Sequence, residues 1–283
     1  MLIDLHVHSS VSDGSYSPAQ LIDVAAEQGI GVIALCDHDT TAGITDFTRY
    51  GSIKHITAIP GVEISATWEN GNCHILGLGI SNNHEPLEST LVQIREARSN
   101  RNLRIIKKLN SLGIGITFEQ VQDMTEGDII ARPHIARAIH NSGYVASVQE
   151  AFDRFLAKGA PAYVDRFRLD PQPAVQLLHD AGAIPVLAHP SQLQVGIDVL
   201  DGLIQRLKPC GLMGLEVYTP YSSEIDIISY TTIAEKHNLF VCGGSDFHGE
   251  TKPDHRLGYY QTGKPIPEQC AEIIKSLKLI VNG

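Results

Sequence analysis

The sequence predicts an α/β barrel interrupted by a block of helices. Three observations lead there. Short β-like runs alternate with amphipathic stretches over about the first eighty residues, consecutive helical stretches fill Glu85 to Asp165, and the alternation resumes after Leu169. Counting gives roughly seven or eight parallel-type units, a number that suits a closed barrel better than an open sheet. A length of 283 residues accommodates one such barrel or two ordinary domains.

Leu2-Ile3-Asp4-Leu5 reads as a buried strand, and Pro18 to Glu27 as a helix capped by Ser17 with proline at its first position. Gly31 to Cys36 is the next strand, after which Thr40 or Thr41 opens a second helix. His55 to Ile59 and Val62 to Ala66 are strands around Pro60-Gly61, and Asn72 to Gly79 is another. Helices are then expected over Leu91 to Leu112, Phe118 to Met124, His134 to Asn141 and Val148 to Leu156, punctuated by Gly113, Gly127 and Gly143. An insertion of this size in a βα scaffold reads as a cap subdomain, a place where specificity often resides. Helices over Pro171 to Ala181, Ile197 to Leu207, Ser223 to His237 and Pro267 to Leu277 alternate with strands Ala183 to Ala188, Gly214 to Val217 and Leu239 to Gly243. There is no internal repeat and no low-complexity tract.

Composition narrows the function. Hydrophobic content of 43% with 19% charged residues is that of a folded globular protein. With 22 Lys and Arg against 32 Asp and Glu the formal charge is −10, which argues against a non-specific surface for duplex nucleic acid. Five widely spaced cysteines without a CxxC pair read as reduced and mostly buried. No signal peptide and no apolar run near the roughly 20 residues of a membrane span is visible, so the expected location is cytoplasmic.

Nine potential metal ligands fall mainly at segment ends: His6, His8, Asp13, His38, Glu63, His74, His134, Asp246 and His248. Because a zinc ion takes about four ligands, nine at one place imply two or three ions. His6 and His8 alternate in an extended chain and so share a face, although a lone pair of this kind also fits surface or hydrogen-bonded histidines. His38 stands between Asp37 and Asp39, carboxylates that can orient an imidazole, while Asp39 fits a helix N-cap equally well. Asp13 in Ser12-Asp13-Gly14 is also plain turn chemistry.

Glu63, enclosed by apolar residues, must be neutral, paired or metal-bound. His74 in its apolar strand is either a ligand or a hydrogen-bonded core residue. His134 opens a helix flanked by Arg132 and Arg137, positions that suit either an anion or ordinary capping and solvated arginines. His189, ending a strand in Ala188-His189-Pro190, suits substrate contact or acid/base work, or simple packing. Gly243-Gly244-Ser245-Asp246-Phe247-His248 joins glycines for close backbone approach to an Asp/His pair. His55, His84, His140, His179, His237 and His255 are read as structural.

Together Asp4-Leu5-His6-Val7-His8-Ser9, Cys36-Asp37-His38-Asp39, Pro60-Gly61-Val62-Glu63, His74, Arg132-Pro133-His134, Ala188-His189-Pro190 and Gly244-Ser245-Asp246-Phe247-His248 closely resemble the polymerase-and-histidinol-phosphatase (PHP) metallophosphoesterases. The likeness runs along the whole chain, helical insertion included, and points to the stand-alone bacterial members that dephosphorylate nucleoside 3′,5′-bisphosphates and trim short RNA from the 5′ end.

The resemblance implies a distorted (β/α)7 TIM-like barrel over 1–82 and 166–283, a helical cap over 83–165, and a trinuclear site holding two or three ions of Mn, Fe or Zn. One ion would take His6, His8, Glu63 and Asp246. A second would share Glu63 with His74 and His134, and a third would take Asp13, His38 and His248. His189 would touch the scissile phosphate or protonate the leaving oxygen, and Arg132, with His134, would hold a phosphate. Glu63 and Asp246 would thus serve catalysis by metal-activated hydroxide on a phosphate monoester.

One departure stands out: such nucleotidases follow Ala-His-Pro with Gly-Arg, whereas Ser191-Gln192 stands here, leaving Lys158, Arg166 or Arg168 to supply the second phosphate contact. The expected partner is a small phosphorylated substrate, a nucleotide or short oligonucleotide. Histidinol phosphate is the alternative within the family. Outside it stand an amidohydrolase, which would want a carboxylated lysine at a strand end, and a PHP module kept only for binding, which would have lost ligands.

Overall fold

The computed structural model describes residues 1–69, 71–80, 84–124 and 130–281, with side chains to residue 276. Seven strands form one sheet whose spatial order equals their sequence order: β1 (Leu2–Val7), β2 (Ile30–Leu35), β3 (Thr57–Ala66), β4 (Cys73–Leu78), β5 (Ile184–Leu187), β6 (Gly214–Tyr218) and β7 (Phe240–Gly243). Just beyond the end of β7, Phe247 forms a parallel bridge with Val7, and the His8 amide donates to the Phe247 carbonyl at 2.9 Å. That contact draws the two edge strands together, so the sheet curls into a barrel with a narrow seam.

Two expectations need correction. The strands are not all parallel: β4 runs antiparallel to both β3 and β5. A parallel pair requires a crossover of a dozen or more residues, and only residues 67–72 separate β3 from β4, enough for a hairpin and nothing longer. Nor does Pro60-Gly61 divide two strands. Both residues lie inside β3, where a Cβ on Gly61 would come within 2.7 Å of the Leu35 carbonyl oxygen.

Helices α1 (Pro18–Glu27), α2 (Ile44–Ile53), α7 (Pro171–Asp180), α8 (Ile197–Leu207), α9 (Glu224–Lys236) and α10 (Glu272–Val281) accompany the barrel. Ser17 caps α1 in a reciprocal capping box with Gln20. α2 begins later than Thr40 or Thr41, after Gly43, because the Asp39 side chain is taken up elsewhere and provides no cap. A short hairpin of β8 (Tyr259–Gln261) and β9 (Lys264–Pro265) follows the barrel strands.

Between β4 and α7 lie α3 (Glu85–Ser111), α4 (Phe118–Gln122), α5 (Arg132–Asn141) and α6 (Val148–Ala151), the last running into a π-helical turn at Phe152–Leu156. α3 starts before the expected Leu91, since the His84 ring accepts from the Leu87 amide and Pro86 fits the first turn. These helices enclose a separate apolar cluster that includes Ile105, Leu109, Ile135, Ile139 and Leu156. The boundary expected between residues 82 and 83, and the turn expected at Gly127, fall outside the described residues.

Strand periodicity separates the faces. Val62, Ile64 and Ala66 of β3 turn toward the helices, together with Cys73 and Ile75 of β4. Glu63 and Ser65 therefore face the barrel interior. A second cluster, built from Ile3, Leu5, Val32, Ala34, Ile59, Leu76, Leu78 and Val186, fills that interior below them. In β1 the register slips between Asp4 and Val7, so Leu5 contributes to the interior cluster while the very next residue, His6, also turns inward. Without the bulge His6 would face the helix layer.

Candidate metal centre and its basic pocket

Polar side chains gather at one end of the barrel. His6 and His8 leave β1, His38 leaves β2, Glu63 projects from β3, His189 follows β5, and Asp246 and His248 follow β7. His74 opens β4 rather than ending it. Because β4 runs antiparallel to β3 and β5, its first residues, Cys73 and His74, lie at the same end as the last residues of β3 and β5, and His74 pairs in register with Ser65.

Glu63 is the hub, fully buried and approached by five imidazoles. Its Oε1 lies 2.8 Å from His74 Nδ1 and 2.9 Å from His189 Nε2. Its Oε2 lies 2.8 Å from His38 Nδ1, 3.3 Å from His8 Nε2 and 3.5 Å from His6 Nε2. His6 Nε2 and His8 Nε2 are 3.1 Å apart, and Asp246 Oδ1 is 3.3 Å from the latter. Asp13 faces His248 Nε2 at 3.2 Å, His8 Nδ1 at 3.7 Å and His38 Nε2 at 3.8 Å.

Among the described residues, ligand atoms lying mutually within 4.8 Å form four groups: His8, Asp13, His38 and His248; His6, Glu63 and His189; His6, His8 and Asp246; and His38, Glu63 and His74. Several polar atoms here make, among the described residues, no hydrogen bond of acceptable geometry despite burial and close neighbours: Glu63 Oε2, His8 Nδ1, His38 Nδ1, His189 Nδ1 and His248 Nε2. Buried lone pairs left facing one another are costly unless a cation lies among them. The donor set of imidazoles and carboxylates suits divalent cations rather than a soft thiophilic ion, and the overlapping groups suit a multinuclear site.

The electrostatics agree with that demand. Burial opposes ionisation of Glu63, but the neighbouring His38, His74 and His6 outweigh it and hold its carboxyl well below the usual range. Asp13 and Asp246 are held down as well against burial, chiefly by His248 and by Lys252 respectively. Burial pushes His8 and His74 down to about 4, so both stay neutral and keep lone pairs for a metal. His38 goes the other way: Glu63 and Asp13 overcome its burial and carry it up to about 9.

Outer contacts fix the rings. Glu216 Oε1 accepts from His6 Nδ1 at 3.1 Å while its Oε2 accepts from the His189 amide at 2.8 Å. His248 Nδ1 donates to the Asp246 carbonyl at 2.8 Å, which turns its Nε2 toward Asp13. Asp4 accepts from the Ser245 amide at 3.0 Å and the Gly258 amide at 2.7 Å, tying β1 to the Asp246 segment. A Cβ on Gly244 would meet His6 Cβ at 2.2 Å, so this position requires glycine. Lys252 Nζ sits 2.6 Å from Asp246 Oδ2, and the Tyr221 hydroxyl donates to the same oxygen. Asp39, His189 and Asp246 all hold positive φ, strain of about 1–2 kcal/mol each concentrated around the centre.

The structure brings eight of the nine expected ligands together. His134 is the exception: it belongs to none of the ligand groups, since its Nδ1 accepts from the Ala131 amide at 3.1 Å and starts α5, in a small cavity beside Asp13 and Arg137. His189, expected at the substrate, lies with His6 and Glu63. Among the described residues Asp37 and Asp39 do not bond the His38 ring. Asp37 gathers the Ser9 amide and the Ser9 and Ser12 hydroxyls, and Asp39 accepts from the Ser65 amide and Arg98. Lys158 lies at the surface with its Nζ on the Glu69 carbonyl, away from the cavity. Of the other histidines, His237 bonds Asp201 at 2.8 Å, His84 caps α3, and His255 bonds the Asp246 carbonyl at 2.9 Å.

Beside the centre is a cavity of about 300 Å³ whose lining includes Asp13, His38 and His74 together with Arg98, Arg101, Arg132, Arg166 and Arg168. A negatively charged chain thus carries a strongly positive pocket next to its ligands. Arg98 and Arg101 escaped the sequence reading although a signal existed. With Leu87, Leu91, Ile94 and Ile105 they occupy spacings of three and four, the buried stripe of α3, where an arginine is out of place unless something pairs it. Glu216 carried the same signal as Glu63, an acid among apolar strand residues.

Comparison with known proteins follows the same lines. The PHP domain model matches residues 4–162, more than half of the chain. A 3′,5′-nucleoside bisphosphate phosphatase from Chromobacterium violaceum is 32% identical over 277 residues, covering 98% of this chain and 96% of that protein. The 5′-3′ exoribonuclease Rnm of Escherichia coli is 32% identical over 252 residues, 88% of this chain and 85% of its own. A solved Chromobacterium violaceum structure, described as an amidohydrolase with bound sulfate and no metal, superposes with a TM-score of 0.86 at 31% identity, covering 99% and 97% of the two chains. The chain therefore belongs to the PHP-domain metal-dependent phosphoesterases, with nucleoside bisphosphate phosphatase and 5′-3′ exoribonuclease relatives and the distorted TIM-like barrel of that family.

Proposed function

We propose that the protein hydrolyses a phosphate monoester of a nucleotide, with a nucleoside 3′,5′-bisphosphate as its substrate. The carrying observation is the convergence of five imidazoles on the buried Glu63 carboxylate, with ligand atoms left unbonded, beside a cavity walled by arginines. The likeness to the bisphosphate phosphatase over nearly the full chain supports the choice of ester.

Divalent ions held by these ligands would lower the pKa of a bound water and neutralise phosphoryl oxygens. The remaining work belongs to the protein. His6, His8, Glu63, His74, His189 and Asp246 fix the reacting end, with His38, Asp13 and His248 completing the cage. Arginines across the cavity orient the anion, and phosphoryl transfer asks mainly for positioning and charge neutralisation. Lys252 Nζ donates to Asp246 Oδ2 at 2.6 Å and, against the pull of burial, that carboxylate strengthens its hold on its proton, which speaks against an amidohydrolase arrangement with a carboxylated bridging lysine at this position. Residues 83–165 serve in this reading as a cap that brings Arg98, Arg101 and Arg132 over the barrel mouth.

A second substrate, the 5′ end of a short oligonucleotide, is favoured by another cavity. It measures about 490 Å³, is lined by His255, Arg256, Tyr259 and Tyr260, and adjoins the centre through His255, whose ring donates to the Asp246 carbonyl. Aromatic and arginine faces of this kind stack on bases.

The test is phosphate release with manganese from adenosine 3′,5′-bisphosphate, adenosine 5′-monophosphate, histidinol phosphate and a 5′-phosphorylated RNA tetramer. Preference for the bisphosphate is expected, and its resistance to cleavage alongside turnover of another ester would replace the proposed substrate. Arg132→Ala should raise KM by about 3- to 10-fold with metal content unchanged, the lower part of the charge-assisted range because this side chain is only partly buried and stacks over Tyr163 at 5.9 Å. Unchanged KM would remove Arg132 from the substrate contacts.

A further inference from the structure

The loop that delivers His38 is held from two directions. On one it pairs with β3: the Asp39 amide donates to the Glu63 carbonyl at 2.9 Å, the Glu63 amide donates to the Asp37 carbonyl at 3.1 Å, and His38 and Glu63 form a parallel bridge. On the other it meets the helical block. The fully buried Asp39 carboxylate accepts from Arg98 and has the Arg166 guanidinium 3.7 Å from the same oxygen, while the Asp39 carbonyl accepts from Arg95 Nη1 at 2.7 Å. Two residues on, the Thr41 hydroxyl donates to Glu88 Oε1 at 2.6 Å.

Glu88, Arg95 and Arg98 stand seven and three residues apart on α3 and so share a helix face. Arg166 belongs to the segment by which the chain leaves the helical block, a segment fastened to the barrel where the Thr67 amide donates to the Leu169 carbonyl at 2.7 Å. Entry and exit of the block thus converge on one carboxylate, next in the chain to a candidate metal ligand. Asp39 also holds φ 54°, a left-handed conformation that a residue other than glycine keeps only when its surroundings impose it. Its side chain does not touch the His38 ring. Through the Ser65 amide, at 3.0 Å, and the arginines it fixes the backbone from which that ring projects.

We propose that Asp39 is a positioning residue joining the His38 loop to α3, so that metal binding at the group of His8, Asp13, His38 and His248 and the seating of α3 on the barrel stabilise one another. The coupling is reciprocal by necessity: if a seated helix improves the presentation of His38, an ion held by His38 retains the helix by the same factor. Were α3 to leave the barrel, the buried Asp39 would lose Arg98, a costly separation. The pocket is affected too, because α3 brings Arg101 to the cavity lining, and that wall is complete only while the helix is seated. Such a coupling rests on the metal centre alone and is indifferent to which ester is hydrolysed.

The experiment uses full-length wild type, Asp39→Asn and Arg95→Met, each stripped with a chelator and titrated with manganese in the absence of substrate. Calorimetry gives the affinity of the weakest-bound manganese, and hydrogen exchange read by mass spectrometry follows the amides of Glu85–Ser111. In wild type manganese should slow that exchange by about 10-fold, within the usual range for coupled sites. Asp39→Asn keeps the shape and an acceptor for Ser65 but meets the two arginines without a charge. It should weaken manganese by about 10- to 100-fold and cut the metal-induced slowing to less than about twofold. Arg95→Met leaves the buried ion pair in place and should lose about 3- to 10-fold in affinity, the weight of one charge-assisted hydrogen bond. Manganese that leaves α3 exchange unchanged in wild type, or slows it equally in wild type and Asp39→Asn, overturns the proposal. So does faster exchange in Asp39→Asn of equal size with and without metal, since Asp39 would then serve stability alone. Should Asp39→Asn fail to fold, Arg95→Met decides by the same two readouts. An α3 response to manganese without hydrolysis of any ester would uphold the coupling and overturn the proposed reaction.

Discussion

Glu63→Ala should strip the protein of most of its metal and lower phosphate release about a thousandfold or more, given that losing one electrostatic stabiliser already costs 100- to 1000-fold. The reason is geometric. Among the described residues no other carboxylate touches as many imidazoles of the centre: one oxygen serves His74 and His189, and the other faces His38, His8 and His6. Alanine would leave those imidazoles with a hole between them and no carboxylate to balance the cations they hold. The overlap of the ligand groups, which share His6, His8, His38 and Glu63, means that the ions are not lost independently. Mass spectrometry of bound metal, paired with a phosphate-release assay and a circular dichroism check of folding, decides the matter. A folded variant retaining near-normal metal and turnover would refute the centre described here. Asp246→Ala should move both readouts in the same direction, with the Tyr221 hydroxyl losing its acceptor and Lys252 left with only the Tyr221 oxygen at 3.2 Å.

How much of this was legible in the residues follows physical lines. The barrel, the helical block and the ligand cluster could be read because they depend on local pattern: β-like runs, helical spacing, and polar residues where strands stop. β4 was misread because strand direction is set by the length of a connection, and residues 67–72 had to be recognised as a hairpin rather than a gap. Periodicity alone could not forecast the inward turn of His6 directly after Leu5, since the slip in register between Asp4 and Val7 arises only from pairing with β2. His134 carried every mark of a ligand, yet its Nδ1 is committed to its own helix start. His189 was assigned to substrate because it ends a strand, and only the folded barrel reveals that β5 delivers it to Glu63. The arginines of the cavity come from α3, α5 and residues 166–168, parts of the chain whose convergence no motif encodes.

The residue that escaped notice at greatest cost is Glu216, and its substitution provides the second large effect. Glu216→Ala should weaken metal binding by about 10- to 100-fold, as removal of an outer-shell partner does. It should also destabilise the chain by about 3–5 kcal/mol, the cost of breaking a fully buried pair by deleting one member. Both consequences come from the same two bonds. His6 Nδ1 and the His189 amide each donate to one oxygen of this carboxylate, at 3.1 and 2.8 Å, in a site with no access to water. His6 Nε2 can be presented to Glu63 and Asp246 only while Nδ1 carries the proton and has somewhere to donate it.

Glu216→Gln separates geometry from charge. An amide has a single acceptor oxygen, so one of the two donors would face an NH2 group, and either the His6 tautomer or the positive-φ turn at His189 must give way. An intermediate loss is therefore expected, nearer to alanine than to wild type. Urea midpoints and metal titrations on both variants test the argument. If glutamine behaves like the native carboxylate, Glu216 is only filling space, and the orientation of His6 must come from Gly244, whose missing side chain allows the segment after β7 to lie directly against it.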